Sequence, residues 1–351
     1  MRKRGVRPQY CGRTAPGRED RLREIVRREL APLTDEMRVD ALGNLIAVKK
    51  ASKGKKAKKL MIAAHMDEIG FVVSHIDERG LLRLVPLGGH DPRNMVAQRV
   101  VVRGKKRDLP GLLYPGIKPP HIQTEADRNA KLAISDFIVD LYLSPAKVRR
   151  EVELGAMVTL QRDFAEIGDG VSCKAMDDRV ALYVMIRAMQ QAKTFGCETY
   201  AVATVQEEVG LRGAQVSAFG VEPDLGVALD VTLAADIPGI PEHEQVTRLG
   251  QGAAIKLLDS SAISHPGLVA QLRGLAKKRK IKCQLEILPL GGTDAGAMQG
   301  VRSGVPVATI SVPTRYIHTS VELVDKGDLQ AAVDLLTAFL EEGHRADLTL
   351  V

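Results

Sequence analysis

The stretch that most narrows the possible folds of this chain runs from Ala201 to Ala214, AVATVQEEVGLRGA. An apolar run from Tyr200 to Val205 reads as a buried strand, and it stops at two adjacent carboxylates, Glu207 and Glu208, followed by Gly210 and Gly213. In open α/β sheets, ligands gather at the carboxyl ends of strands, and neighbouring side chains there point in different directions. One acid can hold a metal while the other faces a reacting water. In isolation, two solvated acids at an exposed strand end would read the same way. The rest of the chain decides between the two.

Other apolar runs end alike. Leu60 to Ala64 is followed by His65, Asp67 and Glu68; Asp224 to Asp230 closes on an acid; Pro306 to Val312 leads through Pro313–Ile317 to His318. Between these runs lie segments with helical spacing: Asp20 to Leu30, Arg179 to Lys193, a start near Gly213, Pro266 to Lys280 and Asp328 to Glu342. Met37 to Val48 reads as two short strands around a tight turn at Ala41–Asn44, and Gln284 to Leu288 as one more strand before the Gly-rich Leu290–Ala295. The alternation predicts an α/β protein with a mixed central sheet flanked by helices.

From about Val73 to Phe164 the texture changes. Short strand-like pieces separated by Gly and Pro follow one another without long helical patterns, so residues 74–164 are expected to be an inserted small β-rich, PDZ-like domain, serving assembly or access. Residues 18–73 and 165–351 would form the main domain, and residues 1–17 a basic arm that lacks the apolar core of a secretory signal.

The net charge of +7 raises nucleic acid as a partner, but much of the excess sits in the arm and in the lysine-rich loop Lys49–Lys59. With aromatics at 3% and none interleaved there, a solvated loop is the expectation, and no nucleic-acid partner. No apolar run is long enough to span a bilayer, so no membrane partner is expected either. Cys11, Cys173, Cys197 and Cys283 have no C-x-x-C spacing, which argues against a zinc knuckle or disulfide framework and for a reducing, cytoplasmic home.

Collected at strand ends and loop starts are His65, Asp67, Asp177, Asp178, Glu207, Glu208, Asp230 and His318. Each has an ordinary reading: Asp177 and Asp178 as caps of the following helix, Asp230 as a turn residue, the histidines as loop or core groups. Together they form a donor set of carboxylates and imidazoles without thiolates, which suits zinc, cobalt or manganese in a catalytic setting better than a structural zinc.

Six ordered motifs carry a resemblance: His65–Phe71 (HMDEIGF), Lys174–Arg179 (KAMDDR), Val205–Gly210 (VQEEVG), Ala228–Thr232 (ALDVT), Gly291–Ala295 (GGTDA) and Arg315–Thr319 (RYIHT). With Gly43–Ala47 and Gly89–Arg93, they resemble the dinuclear metal aminopeptidases of the glutamyl aminopeptidase family, whose members build tetrahedral TET assemblies and include endoglucanase-like relatives. The resemblance covers nearly the whole chain from about Arg18. It implies two divalent metal ions per subunit, zinc or cobalt, with Asp177 bridging, Glu208 and His318 completing one ion and His65 and Asp230 the other. It further implies Asp67 as the residue orienting His65, Glu207 as general base, short peptides with a free N-terminus as substrates, and a homo-oligomer up to the dodecamer. A cis Asp177–Asp178 peptide is expected on the same ground. Two departures stand out: the short Cys11–Glu19 segment before the first helix, and Ala181 where a glycine often follows the Asp-Asp-Arg motif.

Rival readings are a glycoside hydrolase, disfavoured by the absence of Trp, a scaffold that has lost its chemistry, and a carboxypeptidase or deacylase using Arg315 for a substrate carboxylate.

Overall fold

The computed structural model of the chain describes residues 14–52 and 57–350. Most of the basic arm, with Cys11, and the middle of the lysine loop therefore lie outside the described residues. Helix α1 (Asp20–Leu30) buries Leu22, Val26 and Leu30 and turns its arginines outward, as its spacing predicts. A hairpin of β1 (Glu36–Val39) and β2 (Leu45–Lys49) follows. The Asp40 carboxylate closes its turn by accepting the amides of Leu42, Gly43 and Asn44, each at 3.0 Å. Strand β3 (Lys59–His65) then delivers His65 at its carboxyl end.

The chain next enters a separate unit: β4 (Gly70–Ile76), β5 (Leu82–Leu87), a short α2 (Pro92–Met95), β6 (Gln98–Arg103), β7 (Asp108–Pro115), α3 (Glu125–Asn129), β8 (Phe137–Asp140), α4 (Pro145–Glu151) and β9 (Met157–Leu160). The six strands close into an antiparallel barrel in the order β4-β5-β8-β7-β6-β9. Its apolar filling, including Phe71, Val100, Leu113, Phe137 and Val158, is a cluster of its own. The first barrel strand begins at Gly70, four residues ahead of position 74, because the turn after His65 is short.

Back in the main unit come β10 (Ala165–Ile167), β11 (Gly170–Cys173), α5 (Met176–Gln191), β12 (Glu198–Thr204), α6 (Arg212–Val221), β13 (Leu225–Leu233), β14 (Ala253–Leu258), α7 (Pro266–Arg279), β15 (Cys283–Ile287), α8 (Asp294–Gln299), β16 (Val307–Arg315), β17 (Glu322–Asp325) and α9 (Lys326–Glu342). The main sheet runs β1-β2-β12-β3-β13-β16-β17-β11-β10, with β14 on β16 and β15 beyond it. Its centre, β12-β3-β13-β16, is parallel, so four carboxyl ends share one edge. Period-two alternation sorts the side chains: Leu60, Ile62 and Ala64 of β3 face the core under α5 and α9, while Met61 and Ala63 face the core under α6 and α8. Strand β14 and helix α8 were not foreseen. The apolar run of β14 is interrupted by Lys256, and α8 is too short to show a period.

Candidate metal centre

The parallel edge assembles the foreseen residues. His65 ends β3, Glu207 and Glu208 follow β12, Asp230 lies in β13, His318 follows β16, and Asp177 and Asp178 stand at the start of α5. Their peptide bond is cis, as expected from the resemblance. Asn44 helps fix the loop after β12, its side-chain oxygen accepting the Val205 amide at 3.0 Å and its nitrogen donating to the Gly213 carbonyl at 3.0 Å. Gly213 is required at that contact, because a Cβ there would sit 2.3 Å from the Val205 carbonyl oxygen.

Two groups of possible donor atoms share one residue. Donor atoms of His65, Asp177, Asp178 and Asp230 lie within 4.8 Å of one another, and so do those of Asp177, Glu208 and His318. The two oxygens of Asp177 face different histidines: Oδ1 is 3.0 Å from His65 Nε2, and Oδ2 is 3.2 Å from His318 Nε2. Glu208 Oε2 lies 3.4 Å from the same His318 nitrogen. Glu207 belongs to neither group; its Oε2 stands 4.0 Å from His65 Nε2.

The orienting contacts differ in detail from the expectation for Asp67. His65 Nδ1 is 3.0 Å from the backbone carbonyl of Asp67 and 3.7 Å from its carboxylate. That carboxylate instead accepts the amides of Glu207 at 3.0 Å and Glu208 at 3.1 Å. Asp67 thus aims both the imidazole and the twin glutamates. Asp178 accepts the His65 amide at 3.3 Å, leaving its other oxygen without a partner.

Crowding of buried acids governs the electrostatics. Burial, reinforced by neighbouring carboxylates, pushes Asp178, Glu207 and Asp230 well above the usual carboxylate range, and Glu208 upward as well. Burial would lower His318, but its bonds to Asp177 and Glu208 push it up to about 11. The same competition leaves His65 well above the ordinary imidazole value, through the Glu207 charge and the bond to Asp177. Negative charge exceeds what two imidazoles neutralise, and buried oxygens of Glu208 and Asp178 lack hydrogen-bond partners. Oxygen and imidazole donors with spare lone pairs fit divalent cations.

Sequence reasoning overlooked Glu322, which opens β17 and is buried. Its oxygens accept the amides of Asp177 at 3.1 Å and His318 at 2.8 Å, joining the shared aspartate to the histidine loop. Its signal was a lone acid inside the apolar run VELV. A second unforeseen network is ionic and buried: Glu68 pairs with Lys174 and, at 3.4 Å, with Arg179. Thr14 joins it, its amide donating to Glu68 Oε1 at 3.0 Å and its hydroxyl to the Met66 carbonyl at 2.8 Å. The described end of the arm is therefore docked against the centre.

An α/β protein with a buried imidazole and carboxylate cluster on its parallel sheet edge is the class these features define. The family model for the M42 glutamyl aminopeptidases matches residues 43–335. The chain belongs to that family. It is 38% identical to the lysyl aminopeptidase of Pyrococcus furiosus, covering 93% of each chain, and 34% identical to the glutamyl aminopeptidase of Lactococcus lactis, covering 92% of this chain and 91% of that one. Among solved structures, an aminopeptidase of the archaeon Desulfurococcus kamchatkensis superposes with a TM-score of 0.90 at 39% identity, covering 95% of this chain and 92% of the other. The Pyrococcus horikoshii TET1 peptidase, described as assembling into a tetrahedron or a large octahedral shell, does so at 0.82 and 30% identity, covering 94% and 96%.

Proposed function

We propose that this chain is a dinuclear metallo-aminopeptidase that releases the N-terminal residue of short peptides, with Glu207 as general base. The observation that carries this reading is Asp177, whose two oxygens each meet a histidine of a different donor group. Asp177 would be shared by two ions, zinc or cobalt, with His65 and Asp230 holding one and Glu208 and His318 the other. When bound, the ions supply Lewis-acid activation of water and of the amide carbonyl. Glu207, outside both groups, accepts the proton of the attacking water and returns it to the leaving amine. Asp67 keeps Glu207 aimed through the amide of that residue.

The carboxypeptidase reading loses its cation. Arg315 is already committed to Asp236 in a two-pronged ion pair, Nε to Oδ1 and Nη2 to Oδ2, both at 2.8 Å. Family membership and the TET-type relatives support a homo-oligomer, extending in this reading to a dodecamer, in the cytoplasm. Residues 74–164, PDZ-like, would serve it as an inserted assembly or access domain, residues 1–17 as an arm, and residues 18–73 with 165–351 as the catalytic domain. No described helix is long and apolar enough to cross a membrane.

The test is Glu207→Gln, assayed on unblocked and N-acetylated peptides beside metal analysis. Two ions per subunit should remain while turnover of unblocked peptides falls by about 10²- to 10⁴-fold. Normal cleavage by the variant, or equal cleavage of blocked peptides by the unaltered enzyme, would sink the reading.

A further inference from the structure

One turn of the barrel comes up against the centre. Gly88 and Gly89 follow β5 and lie directly on the ligands: a Cβ on Gly88 would stand 3.1 Å from Glu208 Oε2 and 2.6 Å from Ile69 Cγ2, and one on Gly89 would stand 3.2 Å from His318 Nδ1. Gly88 also has φ of +82°, a conformation that L side chains rarely adopt. Here glycine is demanded twice at one place, once by the backbone and once by closeness to a functional side chain.

The next residue locks the turn. His90 stacks on Phe71 of β4 with ring centroids 4.2 Å apart, and its Nε2 lies 2.8 Å from the Gly70 carbonyl and 3.3 Å from that of Leu87. Two carbonyl partners require that nitrogen to carry the hydrogen. The ring thereby ties the end of β5 back to the start of β4, the strand that follows the His65–Asp67 segment.

The loop bearing His318 needs such a wall. Tyr316 and His318 both have φ of +62°. From the main sheet the loop is held by Glu322, and from the barrel side by Gln98 of β6, whose Oε1 accepts the Ser320 hydroxyl at 3.2 Å.

We propose that the Gly88–Gly89–His90 turn is the outer wall of the candidate centre and a positioning element for it, fixing the His318 imidazole and the Glu208 carboxylate to receive one of the two ions. The inference rests on the two-ion reading above. It gives the inserted barrel a share in building the metal site, beyond assembly or access. Because added atoms at Gly88 and Gly89 would meet Glu208 and His318, disturbance of the turn should fall on one ion and spare the other.

The experiment titrates cobalt into chelator-treated full-length protein, following the visible absorption of the bound ion and its heat of binding. Unaltered protein should show two steps. In Gly89→Val one step should weaken by about tenfold or more, with a changed spectrum, while the other stays in place. Gly89→Ala and His90→Phe, the latter keeping the stack on Phe71 but losing the carbonyl bonds, should shift the same step by less. Excess cobalt should restore turnover. Thermal unfolding of the metal-free variants controls for folding, and should Gly89→Val unfold, the milder pair carries the comparison. Two steps and a spectrum unchanged in all variants, or equal loss of both steps, overturns this inference alone. Absence of uptake by the unaltered protein overturns the two-ion reading, and this inference with it.

Discussion

Lys256, Glu286 and Asp259 form a buried charge cluster across β14, β15 and the loop that follows β14. The His65 to His318 centre forms another on the same sheet. In the first, the chain supplies its own cation: Lys256 Nζ lies 2.8 Å from Glu286 Oε1 and 3.7 Å from Asp259 Oδ2. Asp259 Oδ1 further accepts the amides of Ser261 and Ala262, each at 2.8 Å, and Thr232 donates its hydroxyl to Glu286. In the second, Asp177, Asp178, Glu207, Glu208 and Asp230 crowd around two imidazoles, and buried oxygens are left over. Burying charge is tolerable only when it is paired and hydrogen-bonded. Glu286 Oε2 lacks a hydrogen-bond partner as well, so the contrast lies in the cations: Lys256 stands against two acids in the first cluster, while two imidazoles face five carboxylates in the second, which marks the second as the place where an external cation would belong.

The comparison can be broken by removing the internal cation. Lys256→Met leaves Glu286 and Asp259 buried without their cation and should destabilise the protein by about 3–5 kcal/mol, read from denaturant midpoints. A loss well under 1 kcal/mol would mean that the cluster was never charge-compensated.

An acid held only by amides gives the next test. Glu19 accepts the amides of Gly17 at 2.7 Å and Gln206 at 3.2 Å, and burial, helped by the Asp67 charge, raises its pKa to about 7. The folded state therefore binds its proton more tightly than the unfolded chain does. The stability it contributes is present below pH 4.5 and is lost as pH rises toward about 7, up to about 3 kcal/mol. Metal-free Glu19→Gln should lack that share of the pH slope in denaturant titrations from pH 4.5 to 8. An unchanged slope would count against the assignment.

Loss of a single ion from the centre should cost slightly less. At free metal about a hundredfold above its dissociation constant, chelation lowers stability by about 2.7 kcal/mol per ion and shifts the thermal midpoint downward. Smallest, and opposite in sign to Lys256→Met, is Asp230→Asn in the metal-free protein. Relief of repulsion should leave it as stable as the parent or about 1 kcal/mol more so, while metal uptake falls. If it destabilises like Lys256→Met, the two clusters do not differ as described.

Much of the main unit was legible because burial on two faces leaves a mark in one dimension. The runs Leu60–Ala64, Tyr200–Val205 and Asp224–Asp230 are apolar since central parallel strands meet a helix layer on each side, and β3, β12 and β13 cover them. The acids and histidines at their carboxyl ends were legible for the complementary reason, as polar groups interrupt such runs only at an edge. Strand β14 was hidden because Lys256, paired with Glu286 about 30 residues away in β15, looks in sequence like a surface lysine. Glu322 was hidden likewise, its bond to Asp177 spanning 145 positions.

The sequence by itself determined the donor chemistry: which strands end in carboxylates or imidazoles, and that no thiolate stands among them. Only the tertiary structure decided that Asp177 faces both histidines, that Asp67 steers the glutamates through their amides, and that a barrel turn lies against His318. Side-chain type and strand period are local properties that a chain writes residue by residue. Distances between strand ends depend on sheet order, parallel register and the closure of a barrel some ninety residues long, and these exist only once the cores have packed.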